Sequence, residues 1–227
     1  MGFPICEKCG KPVEKLSRKE AYGSGSEITE RCHEPQPDEM KDSFIYLCDD
    51  CRDTKHEFTM GRAAFVYDNV MRKCMSALKY GGRREYGETL GLLLYERFAE
   101  LLRSWKPDGI VAVPVHPDRL KKRGYDQAYV IAEAVSKRSG IPVMKDVVIR
   151  TKNTRAMKVL GAGERRKNME EAFAPGKSEV YIKKVLIIDD IYTTGSTMDA
   201  VSRVLKARGC KDIRFLTVCI GHGFMLQ

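Results

Sequence analysis

Long apolar runs are missing from this chain: none approaches the about 20 consecutive apolar residues that span a bilayer, so no membrane insertion is expected. A secretory leader is missing too, because Met1-Gly-Phe-Pro-Ile-Cys6 has neither a charged n-region nor an apolar h-region. Gly2 raises myristoylation, but Cys6 stands where that motif requires Ser or Thr. No internal repeat or low-complexity tract is present. Aromatic residues are sparse around the basic runs, and there is a single Trp. That argues against an extended stacking platform for single-stranded nucleic acid. The expected location is the cytoplasm, where thiols stay reduced and clustered cysteines read as metal ligands rather than disulfides.

What is present suffices for one α/β domain with a small appendage: 227 residues, 43% of them apolar. The net charge of +9 is unevenly spread. Residues 1–58 carry 9 Lys/Arg against 13 Asp/Glu, and the remainder carries 31 against 18. A basic domain behind an acidic module points to a polyanionic partner, a phosphorylated small molecule or a nucleic acid. Five of the eight cysteines also fall in residues 1–58, around a polar stretch from Lys15 to Ser43 that reads as a loop. We therefore expect a cysteine module at 1–58 and a second domain at 59–227.

Apolar periodicity in the second segment alternates between strand and helix. Arg62–Tyr67 reads as a strand, and Met71, Cys74, Met75 and Leu78 mark one face of a helix starting at Asp68. Leu90, Leu94, Phe98 and Leu101 mark a longer helix that ends before Pro107. Gly109–Val113 reads as a buried strand, and Ala128, Ile131, Ala132 and Val135 as a helix stopped by Gly140. Ile141–Ile149 and Lys184–Ile188 read as strands, Ser196–Arg208 as a helix ended by Gly209, and Ile213–Ile220 as the last strand. Such alternation implies a mostly parallel sheet covered on both faces.

The chemistry concentrates after Lys184. Four apolar residues, Val185 to Ile188, are followed by Asp189 and Asp190 at a strand's carboxyl end, where open α/β sheets bind ligands. Tyr192-Thr-Thr-Gly-Ser-Thr197 comes next, a loop of small hydroxyl residues opening a helix. Gly195 permits close backbone approach, and successive amides with the helix dipole favour an anion. Thr193, Thr194, Ser196 and Thr197 add hydroxyl donors. A phosphate on the loop, with vicinal hydroxyls donating to Asp189 and Asp190, describes a ribose 5-phosphate. Two basic segments suit the same ligand: Arg119, Lys121, Lys122 and Arg123, expected on a loop beside a sheet edge, and Arg150–Lys167, expected to be a mobile flap. Arg123 and Arg165 are the candidate catalytic cations for the charge of the phosphorylated ligand.

Cys6-x-x-Cys9 and Cys48-x-x-Cys51 are two metal knuckles, and together they complete a tetrahedral site for structural Zn²⁺. Cys32 and His33 could substitute, but four thiolates already close the site. Cys74, Cys210 and Cys219 read as ordinary buried or half-buried thiols. A redox role for the knuckles is the alternative, although neither precedes the βαβ pattern of a thioredoxin-like site.

The run Val185–Thr197 resembles the phosphoribosyl-pyrophosphate signature of type I phosphoribosyltransferases. The resemblance implies that Asp189 and Asp190 hold the ribose hydroxyls, that Thr193–Thr197 bind the 5-phosphate, and that Mg²⁺ bridges pyrophosphate and ribose oxygens. The knuckles, Ala63-Ala-Phe-Val-Tyr67, Leu78-Lys-Tyr-Gly-Gly-Arg83, Arg123-Gly-Tyr-Asp-Gln-Ala128 and Glu164-Arg-Arg-Lys-Asn168 are together similar to the ComF family of competence-associated proteins. That family implies a phosphoribosyltransferase-like protein linked to DNA uptake, working with single-stranded DNA and a helicase partner. Two functions follow: a glycosyltransferase-class enzyme moving the phosphoribosyl group to an unidentified acceptor, or a non-catalytic accessory of DNA uptake that keeps the fold as a ligand sensor or scaffold.

Overall fold

Uninterrupted apolar runs belong to strands buried on both faces, and Val185–Ile188 forms the first half of such a strand. The computed structural model describes residues 4–13, 46–152, 171–178 and 181–221. Its elements in chain order are α1 (Asp49–Asp53), β1 (Met60–Val66), α2 (Asn69–Tyr80), α3 (Arg84–Trp105), β2 (Gly109–Ala112) and α4 (Pro117–Arg123). They continue with α5 (Gln127–Ser139), β3 (Val148–Arg150), β4 (Phe173–Pro175), β5 (Lys184–Tyr192), α6 (Ser196–Ala207) and β6 (Asp212–Ile220). Four strands make one sheet in the order β1-β6-β5-β2, every pair parallel. The short strands β3 and β4 pair antiparallel beside it.

Alternation along β5 divides the core. Val185 and Ile187 join Met198, Val201, Leu205 and Phe215 under α6, a cluster that also contains Cys6, Cys9 and Phe58. Leu186 and Ile188 point the other way, into Leu78, Leu90, Leu94, Ile131 and Val135 of α2, α3 and α5. The sheet is thus covered on both faces, as the sequence pattern requires. Among the described residues no helix is long and apolar enough to cross a membrane.

Helix boundaries follow their caps. The Asp68 side chain accepts from the Met71 amide at the start of α2, and Asp126 accepts from Tyr129 at the start of α5. Gly140 closes α5 in the left-handed conformation.

Three expectations need correction. Ile141–Ile149 is not one strand: Val143 makes only an isolated bridge to Ile110, and β3 begins at Val148. Pro142 has no amide to donate to a ladder, and Asp146 takes a positive φ of 55° that ends any extended run. The residues Arg119 to Arg123 lie not on a loop but on α4, which has Pro117 in its first turn, a His116 side-chain cap and Gly124 as a left-handed stop. The strand expected to end at Ile188 runs on to Tyr192, so Asp189 and Asp190 stand inside β5 rather than after it. Residues 153–170 lie outside the described residues, and with them nearly all of the expected basic flap.

Candidate ribose-phosphate site and metal centre

Asp189 and Asp190 are the first polar residues of β5 after its apolar run, and both are buried. The Asp190 amide donates to the Asp189 carboxylate at 2.8 Å. Burial, then the charge of Asp190, pushes the Asp189 carboxyl well above its ordinary value. Asp190 is met by Lys79, whose Nζ stands 2.7 Å from Oδ2. Burial alone would lower the Lys79 pKa, but the Asp190 carboxylate holds it above its ordinary value. A third carboxylate, Asp126, caps α5 and accepts from the Val115 amide at 2.9 Å. Burial raises its pKa as well, and Asp190 adds to the rise.

Cations ring this acidic group. Arg123, at the end of α4, donates to the Gln127 side chain at 2.8 Å and lies 5.3 Å over the Tyr80 ring. Arg150, on β3, lies over Phe173 at 5.2 Å. Burial and then the charge of Arg119 hold its guanidinium below its ordinary value, while Asp189 and Asp126 oppose that shift. Lys79 of α2, Arg119 and Arg123 of α4, and Arg150 of β3 therefore converge from three stretches of chain on one acidic cluster.

The loop after β5 completes the site. Thr193 and Thr194 are exposed, Ser196 and Thr197 half-buried and Gly195 buried. Gly195 has φ of 84° and stands at the amino end of α6 with no side-chain cap in place. The Thr194 and Ser196 hydroxyls lie 3.0 Å apart. An open helix terminus flanked by hydroxyls is suited to an anion. A separate groove lined by Tyr95, Leu102, Pro107 and Ile141 sits near the start of β2, away from the carboxylates.

The knuckles come together as the spacing requires. The sulfurs of Cys6, Cys9, Cys48 and Cys51 all lie within 4.8 Å of one another. Cys9 and Cys48 are 3.6 Å apart, too far for a disulfide. Zn–S bonds of about 2.3 Å in a tetrahedron place sulfurs about 3.8 Å apart, so the donor set fits Zn²⁺. Hydrogen bonds from Cys48, then Cys51 and Cys9, favour a thiolate at Cys6, whereas Cys48, Cys6 and Cys9 oppose ionisation of Cys51. Four such charges coexist only around a cation. Cys32 and His33 lie outside the described residues. Cys219 is pushed up to about 12, by burial first, and burial also raises Cys74 and Cys210, as for inert thiols.

Comparison with known proteins places this geometry. The phosphoribosyl transferase domain family matches residues 121–223. Competence protein F of Haemophilus influenzae is 34% identical over 131 residues, 56% of this chain and 57% of that protein. Competence protein ComFC of Streptococcus pneumoniae is 30% identical over 217 residues, 92% of this chain and 84% of that protein. The chain belongs to the ComF family. Outside the competence proteins, the ComF chain is also similar to the DNA utilization protein YhgH of Escherichia coli K12, at 28% identity over 63% of each. A purine phosphoribosyltransferase from Pyrococcus horikoshii Ot3 aligns with a TM-score of 0.36 and 22% identity, over 56% of this chain and 70% of that one. The alignment spans 57% of the length of the Haemophilus protein.

Within this ComF chain, every expected ribose-phosphate residue from Asp189 to Thr197 falls on one strand-loop-helix passage, and all four cysteines on one cluster. Arg123 joins the acidic group, whereas Arg165 lies outside the described residues. Sequence reasoning assigned no role to Lys79 or Asp126, and it placed Arg150 at the start of a mobile flap, whereas the structure sets it on β3. Lys79 and Asp126 lie in two of the segments similar to ComF, residues 78–83 and 123–128, which was the available signal. His56 carried no such signal, yet it meets Asp199 of α6, while Tyr192, inside the run Val185–Thr197, packs in one cluster with Cys6 and Cys9.

Proposed function

We propose that this protein binds phosphoribosyl pyrophosphate with Mg²⁺ and transfers the phosphoribosyl group to an acceptor, within the cytoplasm. The observation that carries this reading is the buried pair Asp189 and Asp190 running directly into the open, hydroxyl-rich amino end of α6. In this reading Asp189 and Asp190 accept from the ribose hydroxyls. Thr193, Thr194, Gly195, Ser196 and Thr197 hold the 5-phosphate through amides and hydroxyls. Arg123, with Arg165 from the basic segment, offsets the charge of pyrophosphate as its bond to the sugar's anomeric carbon breaks. Mg²⁺ supplies further charge neutralisation of the polyphosphate. The exposed ring of Tyr80, beside Lys79 and backed by Arg123, offers a flat face to an aromatic acceptor. Residues 1–58 act in this reading as the Zn²⁺ module and 59–227 as the transferase domain.

Titration calorimetry with Mg²⁺–phosphoribosyl pyrophosphate tests the reading. Asp190→Asn removes a charge-assisted hydrogen bond of roughly 1.5–3 kcal/mol, so affinity should fall by about tenfold or more. Equal affinity for wild type and variant would remove the carboxylates from the site. Release of pyrophosphate with a panel of bases then tests transfer itself.

A second reading has support from the names of the relatives, competence and DNA utilization proteins. In it the basic domain handles single-stranded DNA or a helicase and the nucleotide site is a sensor. Competition separates the two. If Arg123 serves pyrophosphate, millimolar Mg²⁺–phosphoribosyl pyrophosphate should displace a bound oligonucleotide at matched ionic strength. An oligonucleotide that stays bound, with affinity falling steeply in salt, favours the DNA reading.

A further inference from the structure

We infer that the four-cysteine module is the floor of the phosphate loop, so that metal in the module and a phosphate ester on the loop stabilise one another. The inference rests on the reading of Thr193–Thr197 as the phosphate site. It starts from two residues that no local pattern links to the metal, Tyr192 and His56.

Tyr192 ends β5 and immediately precedes the loop. Its side chain is buried in one cluster with Cys6 and Cys9, and among the described residues its hydroxyl has no hydrogen-bond partner. The ring is clamped by Phe215, stacked at 4.8 Å, and by the edge contact of Phe58 at 6.2 Å. Lys11, just past the first knuckle, lies 5.7 Å over the same ring and pairs with Asp50 of the second knuckle. Both knuckles therefore close over the residue from which the loop departs.

His56 holds the other end. It follows the second knuckle, stacks on Phe58 at 4.7 Å, and sets Nδ1 2.9 Å from Oδ2 of Asp199 in the first turn of α6. The Glu57 amide donates to the second oxygen of Asp199 at 2.8 Å. A carboxylate at the amino end of α6 is thus occupied on both oxygens by the segment trailing the metal site. Gly195 rests between the two anchors: a methyl group added there would come within 2.8 Å of His56 Cε1 and 2.9 Å of the Tyr192 hydroxyl. The start, the turning point and the end of the loop all bear on the module.

The segments that carry the thiolates also hold the Tyr192 ring and the Asp199 carboxylate, so the loop and the module constrain one another, and coupling of this kind is reciprocal by linkage. A ligand that fixes the loop must tighten the metal by the same factor by which the metal tightens the ligand.

The test uses the zinc-loaded full chain and a zinc-selective chelator that leaves Mg²⁺ alone. Zinc affinity is measured by competition with and without saturating Mg²⁺–phosphoribosyl pyrophosphate, and again with ribose 5-phosphate. In wild type, ligand should raise apparent zinc affinity at least about fivefold. Tyr192→Phe removes one buried hydroxyl beside Gly195, and it should shrink the ligand-linked gain. His56→Ala should shrink the same gain through Asp199. A general loss of stability would weaken zinc equally with and without ligand, leaving the gain intact. Wild type that binds phosphoribosyl pyrophosphate with zinc affinity unchanged overturns the inference and leaves the proposed function standing. Wild type that shows no calorimetric binding of phosphoribosyl pyrophosphate fails the proposed function itself. Purified chain without zinc overturns the inference at its first step.

Discussion

At the residue scale, the site is a set of buried charges kept from neutralising one another fully. Asp189 has a raised pKa, so between the unfolded value of about 3.9 and its higher folded value the native state holds a proton that the unfolded chain has released. Stability from this group is therefore full at low pH and is lost as pH rises through that window. Asp189→Asn abolishes the loss without changing shape, and Asn can still accept from the Asp190 amide. The ligand-free variant should melt above wild type at pH 7, by roughly 2–4 °C for each kcal/mol relieved, and the gap should close toward pH 3. Melting curves across that pH range check it, and a gap independent of pH would mean that Asp189 titrates as an exposed carboxyl does. The same variant should bind phosphoribosyl pyrophosphate more weakly, so gain in stability and loss of affinity travel together.

At the scale of elements, the close crossing of α3 and α5 brings the Asp126 cap to the carboxylates. The crossing depends on Gly91 in α3, where a methyl group would stand 2.6 Å from Cβ of Ala134 and 2.7 Å from the Ile131 carbonyl oxygen. Alanine has the higher helix propensity, yet Gly91→Ala should destabilise by about 1–3 kcal/mol, because backbone must shift to admit it. Denaturant titration reads this directly; a neutral or stabilising result would mean that the helices separate freely. Elements with one strong local rule were legible in the sequence. The caps at Asp68 and Gly140 marked the start of α2 and the end of α5, and the apolar run marked the start of β5 but not its end at Tyr192. Ile141–Ile149 misled because its apolar composition says strand, while Pro142 and the left-handed Asp146 deny it a ladder.

At the scale of the whole molecule, the four-cysteine cluster is built into the core on the α6 side of the sheet, with Cys6 and Cys9 among its buried residues. Metal analysis should find about one zinc per chain. Cys48→Ser should lose it and lower the melting temperature, whereas Cys74→Ser, outside the cluster, should keep it. Equal zinc in both variants would remove the metal assignment. The ligand loop and the knuckles were each readable because their residues are contiguous or evenly spaced. Their contact was not, since Tyr192 packs in one cluster with Cys9, and His56 meets Asp199, across most of the chain. The same holds for Lys79 on Asp190 and Arg150 near Asp189: each pair is assembled by the sheet, and no periodicity announces it.

The order β1-β6-β5-β2 has a consequence for how the molecule is born. Among the described residues β1 is an edge strand whose one paired strand is β6, Met60 opposite Arg214 and Val66 opposite Ile220. During synthesis at about 5–20 residues per second, β1 leaves the ribosome on the order of ten seconds before β6 exists. Throughout that interval its row of amides and carbonyls is open to the wrong strand, from the same chain or another. Nascent chains stalled before Asp212 should therefore lack a protected β1 and remain dependent on holding factors, while a few more residues, through Ile220, let the sheet close in a single late step.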